Sequence, residues 1–149
     1  MPRARLCVLA LAASTAACAV TPTVALERAQ AEAQAGRPEL ALKRFDTIAT
    51  RKDASDEERI QACMGAAHAC DALKDEACAR TRLERAIERD VPGKVEPALF
   101  ELAERVVHED RGRALSLYYR AAGGAEKYRD RAWPYKAAMD RIVQISMSR

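Results

Sequence analysis

Three short segments of this chain can be laid over one another, and that recurrence limits the fold more than any other feature. Residues 41–48 read ALKRFDTI, residues 79–86 read ARTRLERA and residues 114–121 read ALSLYYRA. Each opens on an alanine (Ala41, Ala79, Ala114) and carries a larger apolar residue four places on (Phe45, Leu83, Tyr118). Each closes on another apolar residue three places later (Ile48, Ala86, Ala121). Spacings of four and three place these residues on one stripe of an α-helix. The leading alanines stand 38 and 35 residues apart. A recurrence at that interval marks a repeated structural unit, and one such unit buries its apolar face only by stacking on the next. Much of the 49% hydrophobic content is alanine and only 5% of residues are aromatic. Alanine is the best helix former, and small side chains let helices approach closely. Alternating runs of Val, Ile and Thr are missing, so strands have no support. A non-repetitive helical bundle remains the other architecture compatible with the same periodicity.

Breakers and caps divide the chain into helices. The first is expected from Pro22 to Ala35, ending at Gly36, and the second from Arg37–Pro38 to about Arg51. Ser55, with Glu58 three residues on, makes a capping box for a third helix reaching about Ala72. Leu73-Lys74-Asp75 turns the chain into a fourth helix that ends near Asp90, and Val91-Pro92-Gly93 breaks it. A fifth spans about Glu96 to His108 and a sixth about Arg113 to Ala122, closed by Gly123-Gly124. Tyr128, Ala132, Tyr135, Met139, Ile142 and Ser146 then fall on one further helical stripe, with Pro134 beginning or kinking that helix. Such a helix covers the exposed edge of a stack or offers itself to a partner. Five of the seven aromatics lie between 118 and 135, which keeps the partner reading open.

Over residues 22 to about 124 the pattern resembles the tetratricopeptide repeat, a helix pair of about 34 residues. The resemblance gives Ala41, Ala79 and Ala114 the small positions where the two helices of a pair touch. Phe45, Leu83 and Tyr118 take the larger positions that pack on the next pair. Ala29 and Ala67 match the small position on the first helix of a pair, where Leu102 departs from the family. Gly36 matches the interhelical glycine, and the closing proline is displaced to Pro92. The implied fold is all-α: a right-handed α-solenoid of about three degenerate helix-turn-helix repeats plus a C-terminal capping helix, over residues 24–149. The family implies a concave face built from the first helix of each pair. The matching positions are Gln30 and Gln34, then Met64, His68 and Asp71, then Leu99 and Ala103. These mix polar and apolar groups without Lys or Arg, which suits an extended peptide rather than a clamped carboxylate. An ordinary solvent-facing surface is the alternative.

The N-terminus carries a second pattern. Arg3 and Arg5 precede an apolar stretch, Leu6 to Ala13, too short to cross a bilayer as a permanent anchor. Ser14-Thr15-Ala16-Ala17-Cys18 follows. This resembles a bacterial lipoprotein signal, with Thr15 where the family usually has leucine. The resemblance implies a signal peptide over residues 1–17, lipidation of Cys18, and a tether over residues 18–23. Ala19 in place of aspartate points to the outer membrane, facing the periplasm. Plain secretion, with cleavage near Ala17 or Ala19 and a secreted or periplasmic product, is the other reading.

Export implies an oxidising compartment, where disulfides persist. Cys70 and Cys78 lie symmetrically about a turn centred near Lys74, which is the geometry for a bridge between facing helices. Cys63 lies about 10 Å from Cys70 along the same helix, too far to bridge, and reads as a small buried apolar residue. Cys63, His68, Cys70 and Cys78 lack the paired spacings of a zinc site, so no metal is expected. His68 and His108 are isolated, and no nucleophile elbow, phosphate loop or dinucleotide motif occurs, so no catalytic residue and no cofactor is expected. The net charge of +3 falls to +1 once Arg3 and Arg5 are set aside, and the charges are interleaved. Nucleic-acid binding therefore has no electrostatic footprint. The function expected is a non-catalytic envelope lipoprotein acting as an interaction scaffold for a protein or peptide. Alternatives are a periplasmic accessory subunit, a small enzyme with an unrecognised site, or a thiol- or metal-responsive envelope protein.

Overall fold

Helices begin where side chains or proline satisfy the backbone. In the computed structural model, which describes residues 20–126 and 135–148, Thr21 Oγ1 accepts from the Val24 amide at 3.4 Å and Pro22 opens α1 (Pro22–Gln34). Gly36, at φ +71°, ends that helix in a left-handed conformation that costs glycine little. Pro38 opens α2 (Pro38–Thr50). The capping box forms as expected at α3 (Asp56–Ala72). The Glu58 amide donates to Ser55 Oγ at 3.2 Å, and the Ser55 amide donates back to Glu58 Oε2 at 2.8 Å. Lys74 takes the left-handed turn at φ +60°, and Asp75 accepts from the Cys78 amide at 2.9 Å to start α4 (Glu76–Ile87). Glu96 is buried at the head of α5 (Glu96–Val106), where its Oε1 accepts from the Gly93 amide at 2.8 Å. The chain continues in α6 (Arg111–Glu126) and α7 (Tyr135–Met147).

The described residues are all-helical, and each helix packs against the next along the chain, with α1 also reaching α3. None of these helices is long and apolar enough to cross a membrane. One core runs through the stack. Ala41, Ala79 and Ala114 are fully buried within it, as are Leu83 and Tyr118, and Phe45 is 2% exposed. The aligned sequence positions therefore share one role.

Boundaries differ from expectation in three places. The fourth helix stops at Ile87, before Asp90, and the fifth at Val106, before His108. The sixth runs through Gly123-Gly124 to Glu126 instead of ending there. A glycine costs a helix only about 1 kcal/mol relative to alanine. Leu117, Ala121 and Ala122 are buried just ahead of the pair, and their packing outweighs that cost. On α7 the buried residues are Ala138, Ile142 and Ile145, whereas Met139 is 37% exposed and Ser146 faces solvent. The inward face is thus turned by one residue from the predicted stripe. Tyr128, Ala132 and Pro134 lie outside the described residues, as do the expected signal peptide and Cys18.

α7 is held to the pair before it by charge as well as burial. Arg141 donates through Nε and Nη2 to both oxygens of Glu104, each at 2.7 Å, and Tyr118 Oη donates to Glu104 Oε1 at 2.5 Å. Burial, then the neighbouring Glu104, pushes the Tyr118 phenol up, so it stays a neutral donor.

Of Gly36, Gly65, Gly112 and Gly123, Gly65 has the closest neighbour. A Cβ there would lie 2.5 Å from Cζ of Phe45, which no packed side chain tolerates. Gly65→Ala is expected to destabilise the protein by about 1–3 kcal/mol, because the buried ring must move. Gly123→Ala, with nothing within 4 Å of the new methyl, should be neutral or stabilising by up to about 1 kcal/mol. Urea midpoints followed by far-UV circular dichroism measure both. Equal stability of Gly65→Ala and the wild type would contradict this packing.

Candidate functional site

Spacing along two helices builds one groove. Gln30, Ala33 and Gln34 lie on one face of α1, while Gln61, Met64, Gly65 and His68 recur at helical spacing on α3. Phe45 of α2 closes the groove, whose volume is about 330 Å³. Gly65 leaves room for that ring, so the missing side chain shapes the groove as well as the core. Gln30, Gln34 and Gln61 are exposed, and their carboxamides have no hydrogen-bond partner among the described residues. Each carboxamide offers two N–H donors and one C=O acceptor without charge.

His68 also lines a second recess of about 330 Å³ with Asp71 of α3 and Phe100, Glu101, Glu104 and Arg105 of α5. Its Nε2 lies 3.0 Å from Glu101 Oε2. The hydrogen bond to Glu101 raises the His68 pKa above its ordinary 6.5, outweighing the opposing effect of burial. Asp71 binds Arg105 in a fork, at 2.8 Å to Nη1 and 2.6 Å to Nη2, and Nη1 also donates to Glu76 Oε2 at 2.9 Å. The bond to Asp71 is the main reason the Arg105 guanidinium is held charged more firmly than usual.

Four of the expected partner-binding residues, Gln30, Gln34, Met64 and His68, therefore share one groove, and Asp71 sits in the adjoining recess. Leu99 does not. It is 2% exposed and belongs to the core, as does the fully buried Ala103. α5 turns Ala98, Leu99, Leu102, Ala103 and Val106 inward together. Leucine at 102, in place of the family's small residue, is part of that broad apolar face. Phe100, Glu101, Glu104 and Arg105 take the outer positions. Sequence reasoning missed Gln61, although it stands three and seven residues before Met64 and His68. It also missed Arg105, whose place opposite Asp71 depends on how two helix pairs meet.

Cys70 and Cys78 stand at disulfide distance, with Cα atoms 5.7 Å apart across the α3–α4 turn. Cys63 is free and buried, and burial pushes its thiol pKa up. A neutral buried thiol is a poor nucleophile. Among the described residues, no group of three or more His, Cys, Asp or Glu is placed to hold a metal ion. A larger recess of about 570 Å³ lies between α5, α6 and α7, and its charges are engaged: Arg141 and Tyr118 hold Glu104, Arg111 donates to the Ile145 carbonyl, and Arg80 holds Glu109. In comparisons with protein-family models, curated proteins and solved structures, nothing matches this chain.

Two predictions follow from these geometries. Because the folded pKa of His68 is raised, the stability it contributes is complete below the unfolded value of about 6.5 and is lost as pH rises through the folded pKa. The denaturation midpoint of wild type minus that of Glu101→Gln should thus be larger at pH 5.5 than at pH 8, and NMR titration should show the His68 pKa falling in Glu101→Gln. A His68 titration indifferent to residue 101 would refute the pairing. Second, after unfolding without reductant, alkylation should modify Cys63 but neither Cys70 nor Cys78. Opening that bridge should cost about 2–3 kcal/mol, read from denaturation with and without reductant. Alkylation of all three would rule the bridge out.

Proposed function

We propose that this chain is a non-catalytic, lipid-tethered scaffold of a bacterial envelope, holding an extended peptide segment of another protein in the α1–α3 groove. The observation that carries this reading is the meeting of Gln30, Gln34, Gln61 and Met64 in one groove that no Lys, Arg, Asp or Glu lines and whose carboxamides are unspent. An extended backbone presents N–H and C=O groups that such carboxamides satisfy without the desolvation cost of a charge. Met64 supplies a soft apolar contact for a side chain between them. The three sequence segments support a right-handed solenoid of three helix pairs, with α7 as its cap. The signal-like N-terminus supports lipidation at Cys18 and an outer-membrane position facing the periplasm.

The test is selection from a random peptide library on the purified protein, followed by calorimetry on a selected peptide. Gln34→Ala and Met64→Ala should each weaken binding about fivefold, the effect of one lost contact of about 1 kcal/mol. Glu39→Ala, exposed on α2, should leave it unchanged. Peptides that bind both groove variants as tightly as wild type would move the site elsewhere.

A further inference from the structure

A cavity of about 280 Å³ opens on the other side of the first helix pair, and its charge is unlike that of the other recesses. Arg28 of α1, Arg44 of α2 and Arg51 just past the end of α2 line it, together with Thr47, over a floor of Val20, Ala25 and Ile48. No carboxylate lines it. The recess between α5, α6 and α7 contains Glu104 and Glu109, and the one beside His68 contains Asp71, Glu101 and Glu104. Arg28 has no carboxylate partner among the described residues. Arg44 stands 3.4 Å from Glu32, which Arg37 holds more closely at 2.8 Å, and Arg51 is paired with Asp53 at 2.6 Å. Lys43 and Lys52, both exposed, adjoin Arg44 and Arg51 in the chain, and Glu27 adjoins Arg28 without lining the cavity.

We infer that this cavity binds the phosphate of an anionic phospholipid headgroup, seating the domain against the membrane that holds its N-terminus. Arginine binds phosphate oxygens in a planar fork, and the apolar floor receives the glycerol and the first methylenes behind the phosphate. The membrane, rather than a soluble phosphate, is the source because of chain reach. Val20 lines the cavity, and the two residues back to Cys18 span no more than about 7 Å. An acyl group on Cys18 thus brings the bilayer interface to the rim. The inference rests on the lipoprotein reading proposed above.

The experiment uses the mature chain carrying Cys18→Ser, so that no acyl group carries it to the vesicle. Sedimentation is measured with phosphatidylcholine vesicles, with and without phosphatidylglycerol. Binding is expected only with phosphatidylglycerol. It should weaken about fivefold in Arg28→Gln and about 25-fold in Arg28→Gln/Arg44→Gln, and remain unchanged in Lys136→Gln on α7. Circular dichroism checks that each variant is folded. Equal binding to both vesicles, wild-type binding by the double variant, or release of the protein by millimolar inorganic phosphate each overturns the inference. The mass of the native N-terminus reports separately on the tether. An unacylated chain that still discriminates phosphatidylglycerol removes the tether and leaves the headgroup site, whereas an acylated chain that does not discriminate removes the site alone.

Discussion

Phe45 lies against an α-carbon that carries no side chain. Gly65 permits this, and much else in the first half of the molecule depends on it. A ring set that deep lets α2 pack closely on α3, which in turn lets α1 reach α3. The groove exists because α1 and α3 flank the same ring. Alanine does the corresponding work within the helix pairs, where Ala41, Ala79 and Ala114 are fully buried. Each buries little area, so transfer from water contributes little per residue. The return comes instead from dispersion between closely spaced backbones and from the few large side chains the alanines admit. Ile48, Ile60, Leu83, Leu102 and Tyr118 are the main ones.

Charge then sets how neighbouring pairs sit on one another. Arg82 reaches Asp46, Lys94 reaches Glu57, Arg80 reaches Glu109 and Arg113 reaches Glu84, each across 29 to 37 residues of sequence. Exposed ion pairs contribute between nothing and about 1 kcal/mol each, so their value lies less in stability than in register. Arg82–Asp46 is among the better shielded, with side chains 20% and 33% exposed. Such pairing also engages the carboxylates of the recesses beside His68 and beside α7. Against that background the groove lined by free carboxamides, and the cavity in which Arg28 has no carboxylate partner, stand out among the described residues.

Whatever a helix decides within its own few turns could be read from the chain. Ala41, Phe45 and Ile48, and their counterparts two helices on, follow helical spacing and are buried as a set. The Ser55–Glu58 capping box is a contact between residues three apart, and it forms. Cys70 and Cys78 face one another because a turn at Lys74 sits midway between them. What escaped depended on neighbours distant in sequence. Gly123-Gly124 reads as a stop, yet packing of the turn before it carries α6 through. Leu99 occupies a groove position in the repeat pattern, but the leucine at 102 belongs to a face of α5 broad enough to bury both. Arg105 acquires meaning only when α5 is laid beside α3. The inward face of α7 is off by one position because its rotation answers to α6 and to the Arg141–Glu104 fork.

That fork also bears on where recognition can happen. Glu104 holds Tyr118 from its own helix pair and Arg141 from the terminal helix, and Arg111 reaches the Ile145 carbonyl near the end of α7. Ala138, Ile142 and Ile145 fill the apolar face beneath. α7 thus covers one side of α6, and the carboxylates of the charged recess beside it, Glu104 and Glu109, are held by arginines. The groove between α1 and α3 has no such cover among the described residues, and its carboxamides stay unengaged. Among the described residues, the free carboxamides thus lie on α1 and α3, away from the matched charges between α5 and α7.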